Sequence, residues 1–296
     1  MRYLVTGGSG LIGRFLLPAI ERQGGESLDF DLLNGYDVLD WPDMVEQIGS
    51  WRPDVVIHLA GVSLVEKSKE VPRPALENNV MGTVNVLEAC RQKGIQNVIT
   101  ASTNHVYGAA PSPHCDLYTA SKIAADVITQ SYADAFGLNA VAIRPTNTYG
   151  PNDPHLSHIV PGTITSILQG KVPVIRSDGM QEKSYLYGED CAEAILHVAN
   201  YCDLLQGRAV NIVGSRPTPV SRLVEEIQAL MGDTRSPIVL GEANDLHDED
   251  LDDSVLYNLG WIPRHSLDEG LQKTIDWFKD NAERERDKAG AQPVQR

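Results

Sequence analysis

The fold is decided by residues 3–13, which read Tyr3-Leu4-Val5-Thr6-Gly7-Gly8-Ser9-Gly10-Leu11-Ile12-Gly13. A short apolar strand runs into a glycine turn, and apolar side chains then recur at helical spacing. A strand, a glycine turn and a helix are the context that a dinucleotide fingerprint requires, although the glycines here are spaced G-x-x-G-x-x-G. Such glycines allow a tight turn and close approach of the backbone to a pyrophosphate. The stretch therefore predicts a dinucleotide site, against the alternative of a plain glycine-rich turn, with contacts from Gly7, Gly10, Leu11, Ile12 and Gly13.

The next predicted strand, residues 27–31, ends on an acidic residue. Asp31 lies 18 residues after Gly13. At that distance a carboxylate accepts hydrogen bonds from the adenosine ribose and repels a 2′-phosphate. NAD is therefore favoured over NADP, with Asp29 as the alternative ribose ligand.

A third buried strand, residues 54–61, ends in small residues that would let a cofactor approach the carboxyl end of the sheet. This places Leu59, Ala60 and Gly61 among the predicted cofactor contacts. His58, at the end of the same strand, is interpreted as a packed, structural histidine. Asp37, followed by Val38, is placed to meet the adenine amino group, and a solvated loop is the alternative reading.

Strands and helices continue to alternate as far as residue 150, which predicts an α/β fold with a doubly wound parallel sheet. Prolines and glycines then punctuate shorter elements, while residues 209–214 read as a strand that returns to the sheet. We therefore expect a nucleotide-binding domain over residues 1–150. Residues 151–281 mainly form a smaller substrate-binding lobe over the carboxyl edge, and residues 282–296 form a flexible tail.

Composition narrows the class of protein. The chain has 296 residues, of which 42% are hydrophobic, and a net charge of -15. That charge argues against nucleic acid as a partner, and any anionic substrate needs a local cluster of donors. The four cysteines lack metal-type spacing, which predicts free thiols and no metal site. No signal peptide or apolar run of about 18 residues is visible, so we expect a cytoplasmic protein away from membranes.

Tyr118 and Lys122 are four residues apart, so they lie on one face of a predicted helix. A neighbouring cation lowers the pKa of a phenol and makes it a better proton acceptor. The pattern alone is weak evidence for catalysis, because many helices carry it by chance.

A strand ending in Ser102 and Thr103 precedes this helix closely, so a hydroxyl there can bond the substrate oxygen that the phenol deprotonates.

In order, the segments TGGSGLIG, HLAG, NVMGTVNVLEA, STNHVYG, YTASK and RPTNTYGP resemble the motif series of extended short-chain dehydrogenase/reductases. The resemblance is to the NAD-dependent epimerase/dehydratase family and covers nearly the whole chain. It implies a Rossmann-type domain that holds NAD tightly and a C-terminal lobe that binds a nucleotide-diphosphate sugar. It also implies a homodimer joined through a four-helix bundle of the helices that carry Asn79 and Tyr118.

The resemblance also assigns roles to single residues. Tyr118 matches the catalytic base, and Lys122 matches the residue that binds the nicotinamide ribose and lowers the pKa of the base. Thr103 stands where the family has a substrate-polarising hydroxyl. Asn79 matches the asparagine of the active-site helix, and Asn147 matches one that touches the sugar-nucleotide phosphates. The implied reaction oxidises a sugar hydroxyl to a keto intermediate, and the hydride later returns from the cofactor.

Several departures from the family pattern bear on the reaction. Many 4,6-dehydratases have Asp-Glu after the catalytic threonine, where this chain has Asn104 and His105. Asparagine cannot serve as an acid or base, whereas His105 can, with a loop or packing role as the alternative for this histidine. The pair also resembles a segment of uronate dehydrogenases. A family arginine is Lys183 here, which supplies a point charge and no bidentate fork. A second diphosphate arginine is not visible in the acidic stretch 241–253, so Arg176 and Arg216 are the remaining anion-binding candidates.

These features favour a nucleotide-sugar epimerase of the 4-epimerase type. The alternatives are a nucleotide-sugar 4,6-dehydratase and an NAD-dependent dehydrogenase of a free sugar or sugar acid. A cofactor-binding regulatory protein without catalysis is a third reading. It is disfavoured because Thr103, Tyr118 and Lys122 are all present.

Overall fold

The computed structural model describes residues 1–108, 115–241 and 251–290. Its helices, in chain order, are α1 Leu11–Arg22, α2 Trp41–Trp51, α3 Val65–Glu70, α4 Pro72–Leu76, α5 Gly82–Lys93, α6 His105–Gly108, α7 Leu117–Phe136, α8 Ile159–Leu168, α9 Gly188–Ala199, α10 Val220–Met231, α11 Ser254–Asn258 and α12 Leu267–Gly290. Its strands are β1 Arg2–Thr6, β2 Glu26–Phe30, β3 Val55–His58, β4 Asn97–Ala101, β5 Asn139–Pro145, β6 Asn147–Tyr149, β7 Val174–Ile175, β8 Glu182–Lys183, β9 Tyr185–Tyr187, β10 Ala209–Ile212, β11 Thr218–Pro219 and β12 Ile238–Val239.

Six of these strands form one parallel sheet in the order β10-β5-β4-β3-β1-β2. The predicted α/β fold with a doubly wound parallel sheet is confirmed. The chain crosses from one side of β1 to the other between β2 and β3, which makes a switch point at the carboxyl ends of β1 and β3. Thr6 and His58 are register partners at that edge, so the turns that follow both strands open into one crevice.

Apolar side chains cover both faces of the sheet. On one face, Leu16 and Ile20 of α1 pack against Ile195 of α9 and against the strands. On the other, Met44 of α2 and Leu87 of α5 belong to a second buried cluster. Strands buried on both faces read as nearly continuous apolar runs, which is why the sequence predicts them well.

A third buried cluster belongs to the later elements. It joins Ile164 of α8, Leu223 and Ile227 of α10, and Leu271 and Ile275 of α12. The short strands β6 and β9 pair in parallel beside it. These elements lie over the carboxyl edge of the sheet, where they close one side of the crevice.

Two elements show features that the sequence analysis did not give. A π-helical turn at Glu77–Met81, which contains Asn79, separates α4 from α5. The final helix α12 continues to Gly290 and so runs into the stretch assigned to a tail. Residues 279–290 are rich in Glu, Lys, Arg and Ala, which have high helix propensity. Residues 291–296 lie outside the described part of the chain.

Within the residues that the structure describes, none of the helices combines the length and the apolar character needed to cross a bilayer.

Two glycines of the first turn offer a matched test of packing. A Cβ built on Gly13 would lie 2.5 Å from Gly8 Cα, whereas one built on Gly10 would meet only the Gly7 carbonyl at 3.3 Å. We expect Gly13→Ala to lower the free energy of unfolding by roughly 1–3 kcal/mol through overpacking. Gly10→Ala should lower it by less. Urea unfolding of the two variants measures the difference, and equal losses would contradict this packing argument.

Candidate active site

A cavity of about 820 Å³ opens at the carboxyl edge of the sheet. Its wall includes the glycine turn, the ends of β1 to β5, the first turns of α7 and part of the later lobe. Most of the predicted site residues lie on this wall, and Asn79 and Arg216 are the exceptions. Those on the wall are Gly7, Gly10, Leu11, Ile12, Gly13, Asp31, Asp37, Val38, Leu59, Ala60, Gly61, Thr103, Asn104, His105, Tyr118, Lys122, Asn147, Arg176 and Lys183.

The glycine turn approaches the neighbouring strand end closely. Gly7 has φ +74, and a Cβ there would lie 2.6 Å from the Ala60 nitrogen. A side chain at this position would therefore be strained and would collide with backbone. The glycines of the turn therefore expose their backbone on the cavity wall at the start of α1. Backbone N–H groups at the N-terminus of a helix are suited to bind a dinucleotide pyrophosphate.

Asp31 is the acidic residue that faces the cavity. Its carboxylate accepts hydrogen bonds from the Ser9 nitrogen at 3.1 Å, the Ser9 hydroxyl at 2.8 Å and the Leu33 nitrogen at 2.9 Å. Burial opposes ionisation, but these bonds outweigh it and hold the pKa of Asp31 below its ordinary value. Asp29 is absent from the cavity wall and is bonded by Asn34 at 2.9 Å. Of the two carboxylates that the sequence left open, Asp31 is therefore the one that faces the cavity.

His58 lies beneath the cavity in a chain of buried hydrogen bonds. The Thr83 hydroxyl donates to the Asn79 carbonyl at 2.7 Å, so it accepts from His58 Nε2 at 3.2 Å. His58 Nδ1 then accepts from the Thr6 hydroxyl at 2.7 Å. Burial, with Lys122 nearby, lowers the pKa of His58 to about 3. A neutral histidine with both ring nitrogens bonded is a structural link, as the sequence analysis interpreted it.

Asn79 is the one predicted cofactor residue that is absent from the cavity wall, where its neighbour Asn78 lies instead. Its amide holds the loop after β3, accepting from the Val62 nitrogen at 2.7 Å and donating to the Val62 carbonyl at 3.0 Å. It also donates to the Ser121 hydroxyl at 2.8 Å. These bonds use both N–H groups of the amide, so Asn79 supports the site from beneath the cavity.

The helix α7 brings Tyr118 and Lys122 to the cavity. Asp116 caps its start by accepting from the Thr119 nitrogen at 2.9 Å, which places Tyr118 in the first turn. Lys122 donates to the Ala101 carbonyl at the end of β4, at 2.8 Å. The Tyr118 phenol is hydrogen-bonded with the Thr103 side chain, and the His105 ring stands edge-on to the Tyr118 ring with centroids 6.1 Å apart.

Burial shifts the ionisation of both members of this pair. Burial raises the pKa of Tyr118 to about 12, while the Thr103 hydrogen bond lowers it and Asp116 raises it further. Burial also lowers the pKa of Lys122 to about 8. Burial is the largest influence on the phenol, and the Lys122 ammonium is directed at the Ala101 carbonyl. Activation of the phenol by Lys122 together with a bound cofactor stays a prediction.

The sequence analysis did not name a group of nitrogen-bearing side chains on the lobe side of the cavity, formed by Arg14, His155 and His158. The Arg14 guanidinium donates to the Asn152 carbonyl at 3.2 Å. His158 Nδ1 lies 2.8 Å from the buried carboxylate of Asp153, and the two histidine rings are 5.3 Å apart. The sequence signal that could have found this group is the pair of histidines, three residues apart, that follows the tyrosine-glycine-proline motif: Pro154-His155-Leu156-Ser157-His158.

The structure separates the two arginines that the sequence analysis offered for anion binding. Arg176 lies on the wall and donates to the Ser157 carbonyl at 2.9 Å, whereas Arg216 is absent from the wall. Most of the acidic stretch falls on residues 242–250, which lie outside the described part of the chain. No cluster of three or more His, Cys, Asp or Glu side chains suited to a metal ion occurs among the residues that the structure describes.

Comparison with known proteins places this geometry in a family. A model of the NAD dependent epimerase/dehydratase family matches residues 3–213. A trifunctional UDP-glucose 4,6-dehydratase/3,5-epimerase/reductase of Arabidopsis thaliana is 34% identical over 80% of this chain, which spans only 38% of that plant protein. A dTDP-glucose 4,6-dehydratase of Mycobacterium tuberculosis is 28% identical, with 95% of this chain and 94% of the relative covered.

Solved structures agree with this match. A UDP-glucose 4-epimerase of Thermotoga maritima, solved with UDP-glucose, has a TM-score of 0.86 at 25% identity and covers 95% of this chain and 100% of its own. A UDP-glucose 4-epimerase of Thermus thermophilus, solved with NAD, has a TM-score of 0.83 at 28% identity and covers 94% of this chain and 99% of its own.

The buried ammonium gives a testable pH dependence. Because the pKa of Lys122 falls from 10.5 to about 8 on folding, the unfolded chain binds more protons between these values. Stability of the cofactor-free protein should therefore rise between pH 7 and 9.5, by about 2 kcal/mol. Lys122→Met should stabilise the protein at pH 7 and remove this rise, as measured by urea unfolding. The exposed Lys171→Met is the control, and a rise that persists in Lys122→Met would contradict the assignment.

Proposed function

The chain belongs to the NAD-dependent epimerase/dehydratase family, and from that premise we propose that it is a nucleotide-sugar 4-epimerase working through a transient keto sugar. The observation that carries the proposal is that Tyr118, Thr103 and Lys122 share one cavity wall with the glycine turn. A proton acceptor and a hydride acceptor can then act on the same carbon of a bound sugar.

The residues present fit NAD. The bare backbone from Gly7 to Gly13 suits the pyrophosphate, and Asp31 suits a ribose diol while repelling a 2′-phosphate. The wall beside Asp31 is formed by Leu32, Leu33 and Tyr36, which offer no positive charge to a 2′-phosphate. When bound, NAD supplies the hydride acceptor of the reaction and, in its oxidised form, a positive charge near the phenol.

The chain's own residues handle the proton. Tyr118 takes the proton from the sugar hydroxyl, and the Thr103 hydroxyl, already bonded with the phenol, holds that oxygen in line. Lys122 is fixed by the Ala101 carbonyl at 2.8 Å, where its remaining N–H groups can hold the nicotinamide ribose. The epimerase is preferred over the dehydratase because Asn104 occupies the position of an elimination acid and cannot ionise.

The lobe side of the cavity supports an anionic substrate despite the net charge of -15. Arg14 and Arg176 are bonded to carbonyls at the two ends of one loop, at Asn152 and Ser157. Each guanidinium has five N–H donors, and these contacts leave others for a substrate phosphate. His155 and His158 stand on the same wall. This local group is the donor cluster that a diphosphate needs.

A second candidate is an NAD-dependent dehydrogenase of a free sugar acid. It is favoured by the Asn104-His105 pair, which stands on the cavity wall beside Tyr118, and by Lys183 in place of a bidentate arginine. A carboxylate needs fewer donors than a diphosphate. In this reading His105 is a further proton carrier, and NADH is released at each turnover.

We also propose a cytoplasmic location. All four cysteines are unpaired, and Cys90 and Cys191 are buried in the core. Free thiols of this kind are typical of a reducing compartment.

The reaction is tested with the NAD-loaded protein and three substrates: UDP-glucose, dTDP-glucose and free glucuronate. We expect one nucleotide sugar to be converted to its C4 epimer with no net change in NADH absorbance, as followed by proton NMR. Tyr118→Phe should lower kcat by about 100-fold or more, since it removes the acid-base group. The exposed Tyr257→Phe is the matched control.

Other products would replace this proposal. A 4-keto-6-deoxy sugar would indicate a dehydratase, and stoichiometric NADH from glucuronate would indicate the dehydrogenase. Full activity of Tyr118→Phe would remove the phenol from its assigned role.

We propose that α5 and α7 pair with their copies in a second chain to form a homodimer. The two helices pack side by side, and Val127 and Phe136 of α7 are 56% and 53% exposed. Light scattering should give a mass near twice the 32.4 kDa chain. Val127→Glu should shift it toward the monomer by burying an unpaired charge, whereas Val174→Glu on the lobe should not. A monomeric wild-type protein would refute the dimer.

A further inference from the structure

A buried ion pair outside the cavity joins the catalytic helix to the sheet. Arg144 of β5 donates from Nε to Asp126 Oδ2 at 2.8 Å and from Nη2 to Asp126 Oδ1 at 2.9 Å. The Asp126 side chain is 3% exposed and that of Arg144 is 18% exposed. Asp126 lies one helical turn beyond Lys122. The bidentate pair therefore fixes the position of α7 relative to β5.

Tyr107 extends this pair to the edge strand. Its hydroxyl accepts from Arg144 Nη1 at 2.7 Å and donates to Asn211 Oδ1 at 2.9 Å. Asn211 of β10 is the register partner of Arg144, so the phenol bridges two neighbouring strand residues. The guanidinium also lies over the Tyr107 ring, 4.9 Å from its centroid. Tyr107 therefore contributes both a ring contact and a hydrogen-bonded hydroxyl.

Tyr107 also ends the loop that carries Thr103 and His105. The start of this loop is held by backbone bonds, from the Ser102 nitrogen to the Ile143 carbonyl at 2.8 Å and from the Asn104 nitrogen to the Pro145 carbonyl at 3.3 Å. Its end is the four-residue helix α6, which is too short to be stable by itself. The Tyr107 side chain reaches from α6 to both β5 and β10.

We propose that the Tyr107 hydroxyl is a positioning group that holds α6 so that Thr103 keeps its hydrogen bond with Tyr118. This inference rests on the proposed function of Tyr118 as the proton acceptor. Without the hydroxyl, Arg144 Nη1 and Asn211 Oδ1 each lose a partner, and α6 loses the two hydrogen bonds that join Tyr107 to β5 and β10. Thr103 then holds the phenol less firmly. Tyr107 itself is absent from the cavity wall.

The test compares Tyr107→Phe with wild type in the NAD-loaded enzyme. Phenylalanine keeps the ring over Arg144 and removes only the hydroxyl. We expect kcat to fall roughly tenfold with KM nearly unchanged, since a shift of about 1 Å in catalytic geometry can cost about 100-fold. The pH at which kcat reaches half its maximum should move upward, because the Thr103 bond lowers the pKa of Tyr118. The control is Tyr132→Phe. It removes the hydroxyl of a tyrosine on α7, and that hydroxyl is hydrogen-bonded with Glu88 of α5.

Two further measurements separate this inference from the proposed function. Amide hydrogen exchange over residues 102–108 needs no substrate, and it should be faster in Tyr107→Phe and unchanged in Tyr132→Phe. Asn211→Ala removes the acceptor, so the double variant should lose no more kcat than Tyr107→Phe alone. Unchanged exchange in Tyr107→Phe, or additive losses in the double variant, would overturn the inference. A wild type inactive on every sugar tested would instead count against the proposed function, and exchange would still decide the role of Tyr107.

Discussion

The site depends on one buried hydrogen bond, from the Lys122 ammonium to the Ala101 carbonyl at 2.8 Å. It ties α7 to the end of the central strand β4. A buried ammonium is costly unless it is bonded, and here the carbonyl of the last residue of β4 supplies the acceptor. The carboxyl edge of the sheet therefore fixes where the helix docks and, with it, where the Tyr118 phenol stands.

The layer beneath the cavity is held by uncharged groups. Thr6, His58, Thr83 and Asn79 form a continuous chain of hydrogen bonds from β1 to the active-site helix. Asn79 extends the chain to Ser121, whose hydroxyl donates to the Tyr118 carbonyl at 2.7 Å. A protonated His58 would place a second positive charge beside Lys122, so a neutral link is the less costly solution. The same chain therefore sets the geometry and leaves the lysine as the cation of the site.

Local pattern and chain order predicted the fold and most of the cavity wall, since buried parallel strands and a glycine turn leave strong signals in sequence. The remaining features of the site depend on tertiary packing, which the sequence pattern does not report. Strand alternation could not separate Asp29 from Asp31, because the choice depends on the donors that Ser9 and Leu33 place around one carboxylate. Arg14 reaches the lobe only through a carbonyl 138 positions away in the chain, a contact that no local pattern carries. The effect of burial on the pKa of Tyr118 could not be predicted, because residue spacing identifies neighbours on a helix and does not report desolvation.

Burial acts on the two central groups in opposite senses, and this makes the site depend on the charges of its ligands. A phenol with a pKa of about 12 is neutral at physiological pH and a weak base, while an ammonium with a pKa of about 8 holds its proton only narrowly. A positive charge beside the phenol lowers its pKa, whereas a negative charge beside the lysine raises the pKa of the ammonium. Oxidised NAD and an anionic sugar nucleotide carry those two charges. Under the proposed function, the phenol therefore becomes an effective proton acceptor only beside a bound cofactor and substrate, which would confine the chemistry to the complex.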